Sequence, residues 1–223
     1  MTQQLLPYVE SNPSSTPDAC VIWLHGLGDS GHGFAPIVPE LKLPDSMAVK
    51  FIFPHAPERP VTINGGMRMR SWYDIKSLDF NSRADLDGVQ TSAYQVESLI
   101  NAQIDSGIPA ERIVLAGFSQ GGVVALHLLP RFAKKLAGVM ALSTYMCEPT
   151  LLNSEATDTN KDTPIFMAHG DQDEVVPIFM GNAAYQTMHS NGFNATWQTY
   201  PMQHNVCVQE LNDISAWLQK VLG

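Results

Sequence analysis

Apolar runs of five to seven residues recur along the chain, separated by loops rich in glycine and proline. Cys20–Leu24, Val49–Phe53, Arg112–Ala116, Ala137–Ser143, Pro164–Gly170 and Thr196–Tyr200 have the length and β-branched content of buried strands. Between them lie segments with helical period. Leu86, Val89, Ala93, Val96 and Ile100 recur at steps of three and four, which predicts a helix from Asp85 to about Asp105, ended by Gly107 and Pro109. Further helices are expected over Phe34–Leu41, from about Gly121 to Phe132, and from about Ile178 to Ser190. A last one carries Leu211, Ile214, Leu218 and Val221 on one face. Residues 1–18 are polar and allow a short edge strand or strand pair, and 147–163 read as a loop. Strand and helix alternate at least five times. That predicts an α/β architecture, a mostly parallel sheet with helices on both faces. Ligands then bind at the carboxyl ends of the strands. Neither a repeat nor a linker interrupts the pattern, so residues 1–223 read as one domain.

One stretch departs from this rhythm. Val61-Thr62-Ile63 and Met67-Arg68-Met69-Arg70 alternate apolar and polar residues around Asn64-Gly65-Gly66, a hairpin signal. Its apolar side bears Val61, Ile63, Met67 and Met69. An insertion between core elements predicts a surface hairpin or lid, and methionines suit an adaptable apolar cover.

Charge and composition narrow the function. The 223 residues carry a formal net charge of −9, with 44% hydrophobic and 16% charged residues, so a nucleic-acid partner is excluded. Three cysteines (Cys20, Cys147, Cys207) show no metal-ligand spacing, and no metal or cofactor is expected. Cys20 belongs to a strand and Cys207 to a helix. The start of the chain lacks a signal-peptide pattern and no apolar run reaches transmembrane length, which points to a cytoplasmic protein.

The chemistry centres on Gly117-Phe118-Ser119-Gln120-Gly121, set between a buried strand and a buried helix. A serine there sits on a sharp turn, and the flanking glycines let neighbouring backbone pass close by, as in the nucleophile elbow of α/β hydrolases. A serine hydroxyl needs a base, an orienter for that base and donors for an oxyanion. Chain order in that fold is Ser, acid, His. Four histidines follow Ser119. His127 lies in the elbow helix, His169 closes a strand ahead of the acid, and His189 lies near a helix end. His204 follows the last strand in a loop and is the candidate base. Asp171 and Asp173 compete for the acid, with Glu174 behind them; the middle of the turn favours Asp173. The loop His25-Gly26-Leu27-Gly28-Asp29-Ser30-Gly31 lacks the Lys-Ser/Thr of a phosphate loop and suits an oxyanion loop, with His25 fixing it.

Assembled in order, the stretches Leu24–Ser30, Trp72-Tyr73-Asp74, Gly117–Gly122, His169–Pro177 and Met202-Gln203-His204 resemble the small carboxylesterase/acyl-protein thioesterase family of α/β hydrolases. The resemblance spans residues 20 to 208. It implies Asp173 as the acid of a Ser119–His204–Asp173 triad, and the backbone N–H groups of Leu27 and Gln120 as oxyanion donors. Gln120 then matters through its backbone, not its side chain. One departure is Asn205, where the family usually has serine. Both residues are good helix N-caps, so the helix start should survive the swap.

The implied activity is hydrolysis of carboxylic esters or thioesters through an acyl-enzyme. Substrates would be small acyl esters or thioesters, acylated proteins or lysolipids. Trp72, Leu78, Met146, Val175, Val176 and Phe179, with Met67 and Met69 of the hairpin, are the candidate acyl-groove residues, although each taken singly reads as core. Two alternatives stand: a lysophospholipase with weak membrane-surface contact, and a non-catalytic module holding an apolar ligand. The chain is expected as a monomer or homodimer.

Overall fold

The computed structural model describes residues 4–77 and 83–223; Leu78, a candidate groove residue, lies outside the described residues. In chain order the elements are β1 (Tyr8–Ser11), β2 (Ala19–Leu24), α1 (Gly31–Phe34), α2 (Ile37–Glu40), β3 (Val49–Pro54), β4 (Glu58–Val61), β5 (Met67–Arg70), α3 (Leu86–Asp105), β6 (Ile113–Phe118), α4 (Gln120–Leu128), β7 (Gly138–Leu142), α5 (Leu152–Glu155), β8 (Ile165–Gly170), α6 (Ile178–Ser190), β9 (Ala195–Tyr200) and α7 (Val208–Leu222). Seven strands form one sheet in the order β1-β3-β2-β6-β7-β8-β9. Among the described residues only β1 runs antiparallel within this sheet, pairing with β3 at the edge. β4 and β5 form a separate hairpin.

Burial on both faces explains the continuous apolar runs. Along β2, Cys20, Ile22 and Leu24 face a layer that contains α3, α4 and α6. Ala19, Val21 and Trp23 face the other layer, which contains α1, α2 and α7. All six are fully buried. At about 1.5–3 kcal/mol per buried large apolar side chain, these two faces supply the driving force. In α3 the expected stripe is present at Val89, Ala93, Val96 and Ile100, whereas Leu86 is half-buried.

Several expectations change. The helix expected over 34–41 is split into α1 and α2 around Ala35-Pro36, because Pro36 has no N–H to continue the first helix. The elbow helix gives way to a 3-10 turn at Leu129–Arg131, where Pro130 again removes a donor. The 147–163 segment holds a short helix, α5, anchored by buried Leu152.

The hairpin strands are 58–61 and 67–70. Asp74 accepts the Thr62 N–H (2.8 Å) and hydroxyl (2.6 Å), and the Ile63 N–H goes to Ile75 O (3.1 Å). Residues 62–63 are therefore tied to 74–75 and cannot extend the ladder. Val61 and Met67 are opposite one another in the ladder and share a face, but that face is not a uniform apolar cover: Val61 is fully buried while Met67 is 64% exposed.

The start of α7 also differs. Cys207 is its N-cap, its Sγ accepting the Glu210 N–H at 3.5 Å. Asn205 is exposed and lies two residues upstream, so the serine-to-asparagine departure does not touch the cap. Glu210 is fully buried, and neither carboxyl oxygen finds a well-formed hydrogen bond among the described residues. Burial pushes its pKa up to about 8, against a lowering contribution from the Cys207 backbone, with Asp213 nearby adding to the rise.

Glu210 therefore folds protonated, and the folded state holds more protons than the unfolded chain between its ordinary value of 4.5 and about 8. Stability falls as pH rises through that window. Glu210→Gln removes this term. Its Tm advantage over the parent should grow from pH 5 to pH 8 and flatten above; a difference independent of pH would reject the assignment.

Candidate active site

The turn between β6 and α4 holds Ser119 at φ 54°, ψ −116°, a conformation that L-residues seldom adopt. Its N–H donates to Leu142 O at the end of β7 (2.9 Å), and its carbonyl accepts the Thr144 hydroxyl (2.7 Å). The flanking glycines are required by close approach. A Cβ on Gly121 would lie 2.4 Å from Leu24 O, and one on Gly117 would lie 2.2 Å from Gly121 O.

Three side chains from three strand ends meet here. His204 Nε2 lies 3.0 Å from Ser119 Oγ, and His204 Nδ1 lies 2.7 Å from Asp173 Oδ2. The carboxylate dictates the tautomer: Nδ1 carries the hydrogen and Nε2 is free to accept the serine proton. Asp173 Oδ1 accepts the N–H groups of Val175 (2.9 Å) and Val176 (2.8 Å). Burial drives the Asp173 pKa upward. The hydrogen bonds from His204, Val176 and Val175, with the His204 charge, outweigh it and hold the carboxyl below its ordinary range. The Phe118 ring packs against His204, centroid to centroid 4.8 Å. Asp171 is exposed.

The loop after β2 brings Leu27 to the same cavity as Ser119, Gln120 and His204. His25 donates from Nδ1 to Gly26 O (2.7 Å) and accepts the Ala56 N–H at Nε2 (3.1 Å). Burial lowers its pKa and keeps it neutral in this role.

The Gln120 side chain is not idle, contrary to expectation. It is buried, accepts the Trp72 N–H at Oε1 (3.1 Å) and donates from Nε2 to Tyr73 O (2.9 Å). Trp72 Nε1–H in turn donates to His25 O (2.8 Å), and the Gly28 N–H donates to Arg70 O (2.9 Å). Residues 70–73 thus join the elbow to the loop after β2.

Trp72 is fully buried and lines neither cavity near Ser119, so it is a strut and not a groove wall. Met67 and Met69 line neither cavity; Met69 packs beside the core. Val175 and Val176 line the cavity of about 240 Å³ that contains Ser119. Met146 and Phe179 line a neighbouring cavity of about 360 Å³, and Arg83 and Tyr145 border both. Sequence reasoning missed Arg83 and Tyr145. Tyr145 lies just beyond the carboxyl end of β7, where the rule for parallel sheets would have placed it; Arg83 gave no signal.

Sheet, elbow and strand-end loops define an α/β hydrolase. The chain belongs to the phospholipase/carboxylesterase family, which it matches over residues 7–222. It is 41% identical over 218 residues to acyl-protein thioesterase 1 of Gibberella zeae, covering 94% of this chain and 93% of that protein. It is 43% identical over 217 residues to acyl-protein thioesterase 1 of Neurospora crassa, covering 92% and 87%. Arabidopsis thaliana SOBER1 superposes with a TM-score of 0.86 at 32% identity, covering 92% of this chain and 99% of that one. Zea mays acyl-protein thioesterase 2 gives 0.86 at 28%, covering 97% and 99%. The chain is accordingly an enzyme of the esterase/thioesterase type, and the non-catalytic binding module is set aside.

Gln120→Ala leaves the buried Trp72 N–H and Tyr73 carbonyl without these partners. It should cost about 1–3 kcal/mol of stability, read as a lower urea midpoint. An unchanged midpoint would remove the strut from the account.

Proposed function

We propose that this enzyme hydrolyses carboxylic esters and thioesters through Ser119, His204 and Asp173. The observation that carries the reading is the continuous relay Asp173 Oδ2–His204 Nδ1 and His204 Nε2–Ser119 Oγ, at 2.7 and 3.0 Å. Ser119 Oγ attacks the acyl carbonyl as His204 Nε2 takes its proton. The imidazolium, stabilised by Asp173, returns that proton to the leaving alkoxide or thiolate. Water then repeats the sequence on the acyl-enzyme and regenerates Ser119. The N–H groups of Leu27 and Gln120 receive the oxyanion, a donor of this kind contributing roughly 10²–10³ in kcat.

The acyl chain extends past Arg83 and Tyr145 into the cavity of about 360 Å³, whose apolar wall includes Met146, Phe179 and Met180. This volume is in the range of small-ligand sites. Likeness to acyl-protein thioesterases supports acylated proteins as the substrates, and the proposal places this enzyme in the cytoplasm as a single domain. No described helix is long and apolar enough to cross a membrane. Lysolipids are the second reading, favoured by the exposed Val175 and Phe179 beside these cavities.

Ser119→Ala should lower kcat on short-chain nitrophenyl esters by on the order of 10⁴-fold or more and abolish fluorophosphonate labelling; retained turnover would reject the nucleophile. Ala183 is exposed on the wall of the larger cavity, so a bulky side chain there fills space without disturbing the core. Ala183→Phe should depress kcat/KM for long acyl chains while sparing acetyl esters. An equal effect on both would place the acyl chain elsewhere.

A further inference from the structure

His169 lies at the end of β8, fully buried, outside the set of side chains that touch Ser119. Its Nε2 is 2.7 Å from Val176 O and 3.5 Å from Asp173 Oδ2. A carbonyl can only accept, so Nε2 carries the hydrogen. Burial lowers the pKa of the ring, against raising contributions from Val176 O and Asp173, which leaves Nδ1 bare. The far edge of the ring is closed off. A Cβ on Gly181 of α6 would lie 2.3 Å from Nδ1, and the Trp197 ring of β9 packs at 5.9 Å. Asp173 and His204 are the titratable groups facing it from the loops, and Tyr185 of α6 stacks on Trp197. The ring has one donor, one acceptor and no room to turn.

We propose that His169 is a positioning residue for Asp173. The residue it grips, Val176, presents its carbonyl to His169 and its N–H to Asp173 Oδ1 (2.8 Å). The peptide turn 173–176 is thereby stretched between a rigid imidazole and the carboxylate. Oδ1 is fixed by the Val175 and Val176 N–H groups, which leaves Oδ2 directed at His204 Nδ1. The Nε2–H also places a positive dipole end within 3.5 Å of Oδ2, supporting the ionised carboxylate without taking it from His204. This rests on the reading that Asp173 serves His204 in catalysis.

The test compares His169→Leu with His169→Gln, whose terminal amide carries N–H donors that can reach Val176 O. Asp173→Asn and Gly181→Ala run beside them. His169→Leu should lower kcat by up to about 10²-fold, the cost of a misplacement near 1 Å, with KM little changed. It should also weaken the downfield proton resonance of the His204–Asp173 hydrogen bond. His169→Gln should restore most of both. Gly181→Ala, pressing the ring toward Val176, should reproduce the defect if His169→Leu does not fold. Asp173→Asn losing activity while His169→Leu and Gly181→Ala keep kcat and the resonance would overturn the role of His169 alone. So would leucine and glutamine variants that are equally impaired with the resonance intact. A fully active Asp173→Asn would overturn the triad reading as well.

Discussion

Everything at this site depends on the tight passage of backbone around Ser119. A residue held in a sparsely populated φ/ψ region costs about 1–3 kcal/mol and persists only where its surroundings over-determine it. Here they do. The turn is tied to the end of β7 through Leu142 O and the Thr144 hydroxyl, and α4 presses so close to β2 that a Cβ on Gly121 would lie 2.4 Å from Leu24 O. Every residue of α4 is buried, so the helix cannot relax outward without exposing the middle of the core. The strain projects the hydroxyl beyond the sheet, at the end where the parallel strands β8 and β9 deliver their following loops. Direction of the strands, not local sequence, brings Asp173 and His204 there.

Two buried carboxyl groups flank His204 in the chain and reach opposite charge states. Burial raises the pKa of both Asp173 and Glu210. Asp173 has two backbone N–H groups on one oxygen and an imidazole N–H on the other. Among the described residues Glu210 has no comparable set, and Asp213 nearby pushes the same way as burial. Donor count decides the outcome: one carboxyl is held ionised for the histidine, and the other remains neutral in the first turn of α7. A desolvated carboxylate is tolerable only where its lone pairs are occupied.

This contrast also marks what was legible in the sequence. Strands buried on both faces are written as unbroken apolar runs, and α3 as a period, so the sheet and its main helices could be read directly. Chain order around Gly117–Gly121 was enough to bring forward His204 and to narrow the acid to Asp171 or Asp173. Contacts between polar side chains and distant backbone leave no such trace. Gln120 meets Trp72 and Tyr73 across 47 to 48 positions, so Trp72 reads as an aromatic groove residue although it is a strut. The hairpin register was misread because Asp74, outside the alternating stretch, claims Thr62. The cap of α7 was misplaced because a thiol, a weak acceptor, occupies a position where Ser, Thr, Asp or Asn is ordinarily sought.

The same struts limit what the hairpin can do. A lid must swing on a hinge where few buried bonds break. The segment after β5 is fastened at Arg70 to Gly28, at Trp72 to both His25 and Gln120, and through Trp72 O to the Ser92 hydroxyl of α3. Breaking a buried hydrogen bond without replacement costs about 1–3 kcal/mol, and these would have to break together. On the other side, Thr62 and Ile63 are bound to Asp74 and Ile75. The freedom that remains is confined to the exposed tip, residues 64–68. Moving β4 and β5 as a body would pull Gly28 and His25 with them, and so disturb the loop that carries Leu27. The hairpin is therefore better described as a buttress of the site than as its cover. Access to Ser119 is left to the rim formed by the loop after β8 and the start of α6, where Val175 and Phe179 stand exposed.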